Sequence, residues 1–434
     1  MFMEKANPAS RRVEKRNFRM DETQCLRMIR ASLAPSTGCT EPAAIALNAA
    51  TARKAAQGTV TQVTARLDAY LFKNAMGVGI PGADERGVDL CVALGITAGD
   101  ADAGMNALHT VTAEQLAAAK ALRGCVKVEI VDGVSGLYIE TILRTDCDAV
   151  RVVTVGAHDH IALVEHAPFT EAPAEKETVE EGSAHCGSLA EFIAFADTVA
   201  LDKLAFLRDA LTMNRTIYDR AMSDELAHCV LPKITLDDPS LCASAKRMAG
   251  AASYARMHGV PLPVMTATGS GNQGITASVP VIRYAKHIGA RQSELYRALL
   301  VSNLITIHQK TGIGRLSAYC GAVSAGCGAG AGIAYLLGGD YRAIAHTIVN
   351  AVAILSGTIC DGAKPSCAAK IASAVEAGIL GYYMYVNDQQ FRGGDGIVAK
   401  GVENTIRNVG LLASQGMKQT DRVILNIMTG DQCL

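Results

Sequence analysis

The sequence predicts an α+β N-terminal domain followed by a mostly all-α C-terminal domain. Helical and strand-like patterns mix up to about residue 165, an acidic segment containing Pro, Ser and Gly follows at 169–187, and helical patterns continue almost to the end. The strands cluster after helices, which favours α+β over a doubly wound sheet. The predicted boundaries are a disordered basic tail at 1–20, the α+β domain at 21–187 and the helical domain at 188–434.

The N-terminal elements follow from caps and periodicity. An amphipathic helix is predicted over Asp21–Ala34 and a second helix from Thr40, its N-cap, to Lys54. Apolar and polar residues alternate from Val63 to Leu71, the period of a half-buried strand. Thr112 and Gln115 form a capping box for the next helix. Four more strands are predicted, at 126–130, 137–143, 150–155 and 161–165.

The C-terminal part is predicted to be helical, with glycine-rich breaks at 269–274, 312–314 and 393–396. Its charge-free segment Leu316–Gly339 is long enough to cross a bilayer. The segment consists mainly of small residues, however, and its flanks have no Trp/Tyr belt. We therefore expect a buried helix and no membrane partner.

Composition excludes several classes of protein. The 434 residues carry a formal net charge of -1, so no nucleic-acid partner is expected. The 13 cysteines are scattered through a long chain, which favours a reduced, cytoplasmic location over a secreted disulfide framework. No apolar stretch follows the basic N-terminus, so no export signal is predicted. A homo-oligomer is compatible with the sequence, which does not determine the oligomeric state.

Cys320, Cys360 and Cys367 are the candidate metal ligands. Cys360 and Cys367 enclose a polar turn with Gly and Pro, and Cys320 lies 40 residues upstream. Three thiolates hold a cubane iron–sulfur cluster and leave one iron open to a substrate. A structural zinc site has shorter gaps and four ligands, which this region lacks. On spacing alone, three unrelated buried thiols remain the alternative.

A glycine-rich turn at 268–275 is a candidate anion site. Backbone N–H groups at the start of the following helix, with Ser270 and the amides of Asn272 and Gln273, suit a carboxylate. The turn matches neither a Walker motif nor a dinucleotide fingerprint. An ordinary turn between helices is the alternative interpretation.

A second turn places Cys39 at the start of a helix, where the helix dipole is expected to lower the thiol pKa. Cys39 is thus a candidate base or nucleophile, with a packed cap residue as the alternative. Ser36 and Thr37 stand beside it as carboxylate ligands. The basic residues Lys73 and Arg315 adjoin candidate motifs and suit the same carboxylate.

The remaining polar candidates add little. His158 and His160 alternate on a strand but lack a carboxylate at metal-site spacing, so they are assigned to a structural or surface class. Cys327 lies two helical turns after Cys320 without its motif and ranks below it as a ligand. Cys433, next to last in the chain, is most simply a tail thiol.

Five segments in order along the chain resemble the L-cysteine desulfidase family, which is related to the iron–sulfur L-serine dehydratases. They are PSTGCTEP at 35–42, KNAMGVGIPG at 73–82, GSGNQGI at 269–275, RLSAYC at 315–320 and ICDGA at 359–363. The resemblance covers about residues 22–428. It implies a serine dehydratase β-type-like N-terminal part and an α-type-like helical part.

The resemblance also implies a [4Fe–4S] cluster, no pyridoxal phosphate, and conversion of L-cysteine to pyruvate, ammonia and sulfide. It carries the cluster ligands over to Cys320, Cys360 and Cys367, and the general base to Cys39. The implied substrate-binding residues are Ser36, Thr37, Lys73, Asn74, Ser270, Asn272 and Gln273. L-Serine dehydratase activity by the same mechanism and a non-catalytic redox sensor are the alternatives. Serine dehydratases space the last two ligands differently, so the choice of thiol over hydroxyl follows the desulfidase-like motifs.

Overall fold

The computed structural model describes residues 21–430 except 81–82, 84, 132–133, 135, 171–186, 223–239 and 315–316. The predicted basic tail, most of the acidic segment, Arg315 and Cys433 lie outside the described residues. The described chain is mixed, with a sheet in the N-terminal region and helices in the C-terminal part. The predicted class is therefore confirmed at this level.

The N-terminal region contains five described helices and six strands. Helices α1–α5 are Glu22–Ser32, Thr40–Ala55, Ala69–Ala75, Val88–Ala98 and Ala113–Leu122. Strands β1–β6 are Pro35–Thr37, Val60–Asp68, Val126–Val131, Tyr138–Thr145, Ala149–Val155 and Ile161–His166. The predicted capping box of α5 is present in both directions.

Five of these strands form one sheet in the order β3-β2-β4-β5-β6. Only β2 and β3 run parallel; the other pairs are antiparallel. Helix α2 packs on the sheet, and its buried Asn48 donates hydrogen bonds to Ile139 O (3.3 Å) and Thr154 Oγ1 (2.8 Å). The middle of α2 is thereby held at a definite place against the sheet.

Two predicted boundaries in this region are wrong. The strand predicted up to Leu71 ends at Asp68, whose carboxylate accepts hydrogen bonds from the N–H groups of Tyr70 and Leu71 and so caps helix α3. The cap competes with the alternating pattern and turns the chain into a helix. The N-cap of α2 is Cys39 rather than Thr40, which is already helical.

The C-terminal part contains one short strand and ten described helices. Strand β7 is Pro263–Met265. Helices α6–α10 are Leu189–Thr198, Leu207–Ala221, Leu241–Met257, Gly271–Ile288 and Gln292–Ile313. Helices α11–α15 are Gly321–Leu336, Tyr341–Leu355, Cys367–Val386, Val402–Leu411 and Lys418–Thr429. Residues 321–336 of the charge-free segment thus form the buried helix α11, as predicted. No helix among the described residues is both long and apolar enough to cross a membrane.

Helix α1 and strand β1 pack against the C-terminal helical part. Cys25 and Ile29 of α1 belong to the same apolar cluster as the C-terminal helices. Strand β1 pairs antiparallel with β7, with Ser36 opposite Val264. The segment that precedes Cys39 is therefore anchored on the helical part, and the segment that follows is anchored on the sheet.

Candidate functional site

The segments that carry Cys320 and Cys360 are joined by backbone hydrogen bonds. Tyr319 and Ile359 form an isolated antiparallel bridge. The N–H of Cys360 donates to the carbonyl of Ala318 at 2.6 Å. Two cysteines 40 residues apart in sequence are thus neighbours in the fold.

The third cysteine lies beside them. Burial raises the pKa of the Cys320 thiol, and the neighbouring thiols of Cys360 and Cys367 raise it further. Cys320 is the N-cap of α11 and Cys367 is the first residue of α13, so two helix N-termini meet here. The Lys370 ammonium lies close enough to lower the pKa of both Cys320 and Cys367, against the effect of burial.

This donor set suits an anionic iron–sulfur cluster. Two positive helix ends and a nearby ammonium favour a net negative group at the three thiols, although burial raises the pKa of Cys320 and Cys367. In the described part of the chain, however, no three His, Cys, Asp or Glu side chains are arranged as a metal site. The ligand roles of the three cysteines therefore remain a prediction.

The Cys39 thiol is buried and hydrogen bonded. Its Sγ donates to Glu41 Oε2 at 2.9 Å, and Thr40 Oγ1 donates to the same oxygen at 2.9 Å. Burial raises the pKa of Cys39 strongly, the Glu41 carboxylate raises it further, and Arg256 lowers it in part. The expectation of a lowered pKa for Cys39 is therefore wrong for the structure described, because desolvation of the buried thiol dominates.

Glu41 and His158 were not predicted as site residues. Burial alone raises the pKa of Glu41, but the His158 side chain and the hydrogen bond from Cys39 outweigh it and hold the pKa below its ordinary value. His158 belongs to the turn between β5 and β6, far from Glu41 in sequence. Its assignment to a structural or surface class missed this neighbour. Sequence spacing carries no signal for such a pairing.

A small apolar cluster connects the turn at 35–39, here the Cys39 turn, with the loop at 360–367, here the ligand loop because it contains two candidate ligands. Cys39, Val78 and Met257 form its buried part, and Ala363 and Cys367 pack against it. The candidate base and a candidate cluster ligand therefore line the same part of the interior.

The glycine-rich turn starts helix α9 and lies against Cys320. Ser270 is the helix N-cap and accepts a hydrogen bond from Gln273 N at 3.4 Å. The Gln273 Oε1 accepts from Thr268 Oγ1 at 2.9 Å. A Cβ placed on Gly321 would lie 2.6 Å from Gln273 Nε2, so this amide occupies the space beside the start of α11. Gln273 thus lies beside Gly321, the residue that follows the candidate ligand Cys320.

The Asn272 side chain contacts helix α8. Its Oδ1 accepts hydrogen bonds from Ser253 Oγ at 3.1 Å and Arg256 Nη1 at 3.3 Å. The Thr40 hydroxyl reaches the carbonyl of Gly269 at 3.4 Å, which joins the Cys39 turn to the glycine-rich turn. The predicted anion site and the predicted base are therefore adjacent.

Lys73 already has an anionic partner. Its buried ammonium forms an ion pair with Asp421 of α15 and donates to the carbonyl of Cys360 at 3.3 Å. A Cβ on Gly362 would lie 2.2 Å from the Lys73 carbonyl oxygen and 3.6 Å from the Asn74 Cα. Lys73 and Asn74 therefore pack against the ligand loop.

Ser36 and Thr37 lie in strand β1. Among the described residues, the buried Ser36 Oγ has no hydrogen-bond partner. Thr37 lines a small pocket together with Asn106 and His109. Their predicted role as carboxylate ligands is not tested by these contacts.

The protein thus combines a sheet-bearing part with a helical part that contains the three cysteines, and known proteins resemble it over most of its length. Residues 102–426 match the family model for the serine dehydratase alpha chain. The chain is 44% identical over 419 residues to a UPF0597 protein of Desulfitobacterium hafniense. This alignment covers 94% of this chain and 96% of that protein. The chain is also 39% identical over 416 residues to a UPF0597 protein of Finegoldia magna, covering 92% and 98%. The chain belongs to the serine dehydratase alpha chain family, so the predicted relation to the iron–sulfur serine dehydratases is confirmed.

Proposed function

We propose that the protein is an iron–sulfur-dependent L-cysteine desulfidase, a lyase that converts L-cysteine to pyruvate, ammonia and sulfide. The observation that supports it is that three features meet: the Cys39–Glu41 pair, the glycine-rich turn and the loop that contains Cys367. Membership of the serine dehydratase alpha chain family supports the same type of elimination.

Cys320, Cys360 and Cys367 would hold the cluster. A [4Fe–4S] cluster bound there would supply an open iron that acts as a Lewis acid on the β-substituent of the substrate. The protein contributes the buried surroundings, and Gln273 borders the position next to Cys320.

Cys39 is the proposed base for the α-proton. Its thiol must first lose a proton, and the Glu41 carboxylate is the acceptor already in contact with it. The thiolate then takes the α-proton as the sulfide leaves, which forms the C=C bond of aminoacrylate. General base catalysis of this kind contributes about 10²–10⁴-fold. Released aminoacrylate tautomerises to an imine, and water hydrolyses it to pyruvate and ammonia.

The test uses anaerobically reconstituted protein. We expect about four iron atoms per chain and sulfide release from L-cysteine that exceeds pyruvate release from L-serine. Replacing Cys320, Cys360 or Cys367 with Ala should abolish both cluster and activity, while the matched replacement of the exposed Cys125 should change neither. Activity is expected to survive hydroxylamine, which removes pyridoxal phosphate.

L-Serine dehydratase is the second candidate, favoured by the family match. If serine is much the better substrate, this alternative replaces the proposal. If the protein binds a cluster but turns over neither amino acid, and the Cys39→Ala variant keeps the cluster, a redox sensor becomes the better description.

A further inference from the structure

We infer that Arg256 binds the α-carboxylate of the amino-acid substrate; this inference rests on the proposed function and assigns a binding residue to the same site. Arg256 lies in the last turn of α8 and is only 2% exposed. No motif in the sequence singled it out.

The first argument is charge. A buried guanidinium is costly unless an anion and hydrogen bonds compensate it. In the described part of the chain, no carboxylate forms an ion pair with Arg256, whose Nη1 donates to the neutral Asn272 and whose Nε has no hydrogen-bond partner. Two other buried cations each have a carboxylate partner: Lys73 has Asp421, and Arg151 has Glu165. Arg256 is therefore short of one anion.

The second argument is position. A Cβ on Gly271 would lie 2.4 Å from the Arg256 Nε, so the guanidinium lies directly under the start of helix α9. The Nε, which has no hydrogen-bond partner, therefore lies beside the N-terminus of α9. A guanidinium with a helix N-terminus is a strong combination for a carboxylate.

The third argument is the neighbouring base. Although burial dominates and raises the pKa of Cys39, the charge of Arg256 lowers it in part, which means that the two groups are close. A carboxylate on Arg256 would hold the α-carbon of the substrate near the Cys39 thiol. The amino acid would then be fixed by one end while the β-substituent points to the thiols of the ligand loop.

The test compares substrates that differ only in the carboxylate. For the wild-type holoenzyme, kcat/KM is expected to be far greater for L-cysteine than for the neutral L-cysteinamide. The Arg256→Gln variant should lose at least about 10²-fold in kcat/KM for L-cysteine, mainly through KM, and change little for L-cysteinamide. Arg256→Lys keeps the charge, so its kcat/KM for L-cysteine should lie between the values of the wild type and of Arg256→Gln. The control is Arg283→Gln, since Arg283 of α9 likewise donates a hydrogen bond to a neutral group, Ser244 Oγ.

An equal loss for both substrates would mean that Arg256 only supports the fold and would overturn the inference. Binding of L-alanine and L-alaninamide, measured by calorimetry, separates this outcome from failure of the proposed function. If the protein turns over no substrate but binds L-alanine in an Arg256-dependent way, only the proposed reaction fails. If the enzyme is active and Arg256→Gln retains the preference for the carboxylate, only the Arg256 inference fails.

Discussion

At the scale of single residues, the Cys39 thiol is controlled by opposing effects. Burial and the Glu41 carboxylate disfavour its thiolate, whereas Arg256 favours it. Glu41 keeps its own pKa low through His158 and the hydrogen bonds that it accepts, so it is ionised and accepts the hydrogen bond of the Cys39 thiol. A base that is neutral at rest and paired with an ionised acceptor avoids a buried unpaired thiolate.

The first prediction concerns this pair. Glu41→Gln removes the acceptor of the Cys39 proton, so kcat for L-cysteine should fall by about 10²–10³-fold while KM changes little. Glu41→Asp should restore part of kcat. The matched control is Glu114→Gln, since Glu114 is an exposed glutamate in the first turn of another helix. Steady-state kinetics on cluster-loaded protein gives the answer, and an unchanged kcat would remove Glu41 from the proton path.

At the scale of elements, helices α11 and α13 cross in backbone contact. Each of them begins at a candidate ligand, Cys320 or Cys367. A Cβ on Gly330 of α11 would lie 2.5 Å from the Gly378 carbonyl oxygen of α13. A Cβ on Gly378 would lie 2.2 Å from the Gly326 carbonyl oxygen. The close crossing sets the separation of the N-termini that carry Cys320 and Cys367.

The second prediction follows from the crossing. Gly330→Ala should lower the free energy of unfolding by about 1–3 kcal/mol because the added methyl group forces the helices apart. The iron content after reconstitution should fall as well, since the ligands separate. Gly124→Ala is the control, because a Cβ at Gly124 meets no atom within 4 Å. Urea unfolding and iron analysis of both variants provide the comparison; equal stability would contradict the tight crossing.

Helices α6, α10 and α14 are joined by one carboxylate. Glu403 of α14 accepts hydrogen bonds from His308 Nε2 at 2.6 Å and from the N–H of Leu189 at 2.8 Å. Burial raises the pKa of Glu403, but the hydrogen bond and charge of His308 and the charge of Arg407 outweigh it and lower the pKa below 4.5. A depressed carboxylate pKa contributes stability above the unfolded value and loses it as the pH falls through the folded value.

The third prediction is therefore a pH dependence of stability. Glu403→Gln should cost about 1 kcal/mol at neutral pH, a modest value because the carboxylate is part-exposed. The difference from the wild type should shrink as the pH falls below 4.5, where the wild-type carboxylate takes up a proton. Denaturant unfolding at several pH values measures it, with Glu376→Gln, at an exposed ion pair with Lys246, as the control. A difference that grows in acid would have the wrong sign for this account.

At the scale of the whole molecule, the site is assembled from distant parts of the chain. Cys39 and Glu41 precede the sheet, whereas Asn272 and the three cysteines belong to the helical part. The buried ion pair between Lys73 of α3 and Asp421 of α15 joins the N-terminal region to the C-terminal helix, and the Lys73 ammonium also contacts the ligand loop.

The fourth prediction tests this connection. Asp421→Asn leaves the Lys73 charge buried without its anion, which should cost about 3–5 kcal/mol of unfolding free energy. The double replacement Lys73→Met with Asp421→Leu should recover most of that loss, because no charge is left buried. Thermal and denaturant unfolding of the single and double variants form the cycle. A double variant as unstable as Asp421→Asn would mean that the pair itself, rather than the unpaired charge, carries the stability.

The sequence by itself determined the elements whose signals are local. The capping box of α5, the alternation of β3 to β6 and the small-residue composition of α11 depend on neighbours within a few residues. The ordered motifs also identified the family, since they are read directly from the chain.

Only the tertiary structure decided which charges meet. Two contacts join residues that are far apart in sequence, Glu41 with His158 and Lys73 with Asp421. The fold also buries the guanidinium of Arg256 beside the neutral Asn272. Local periodicity reports which face of an element is buried but not which buried polar groups face each other. Burial also reversed the expected direction of the Cys39 pKa shift, because the cost of desolvating a thiolate depends on the tertiary packing around it.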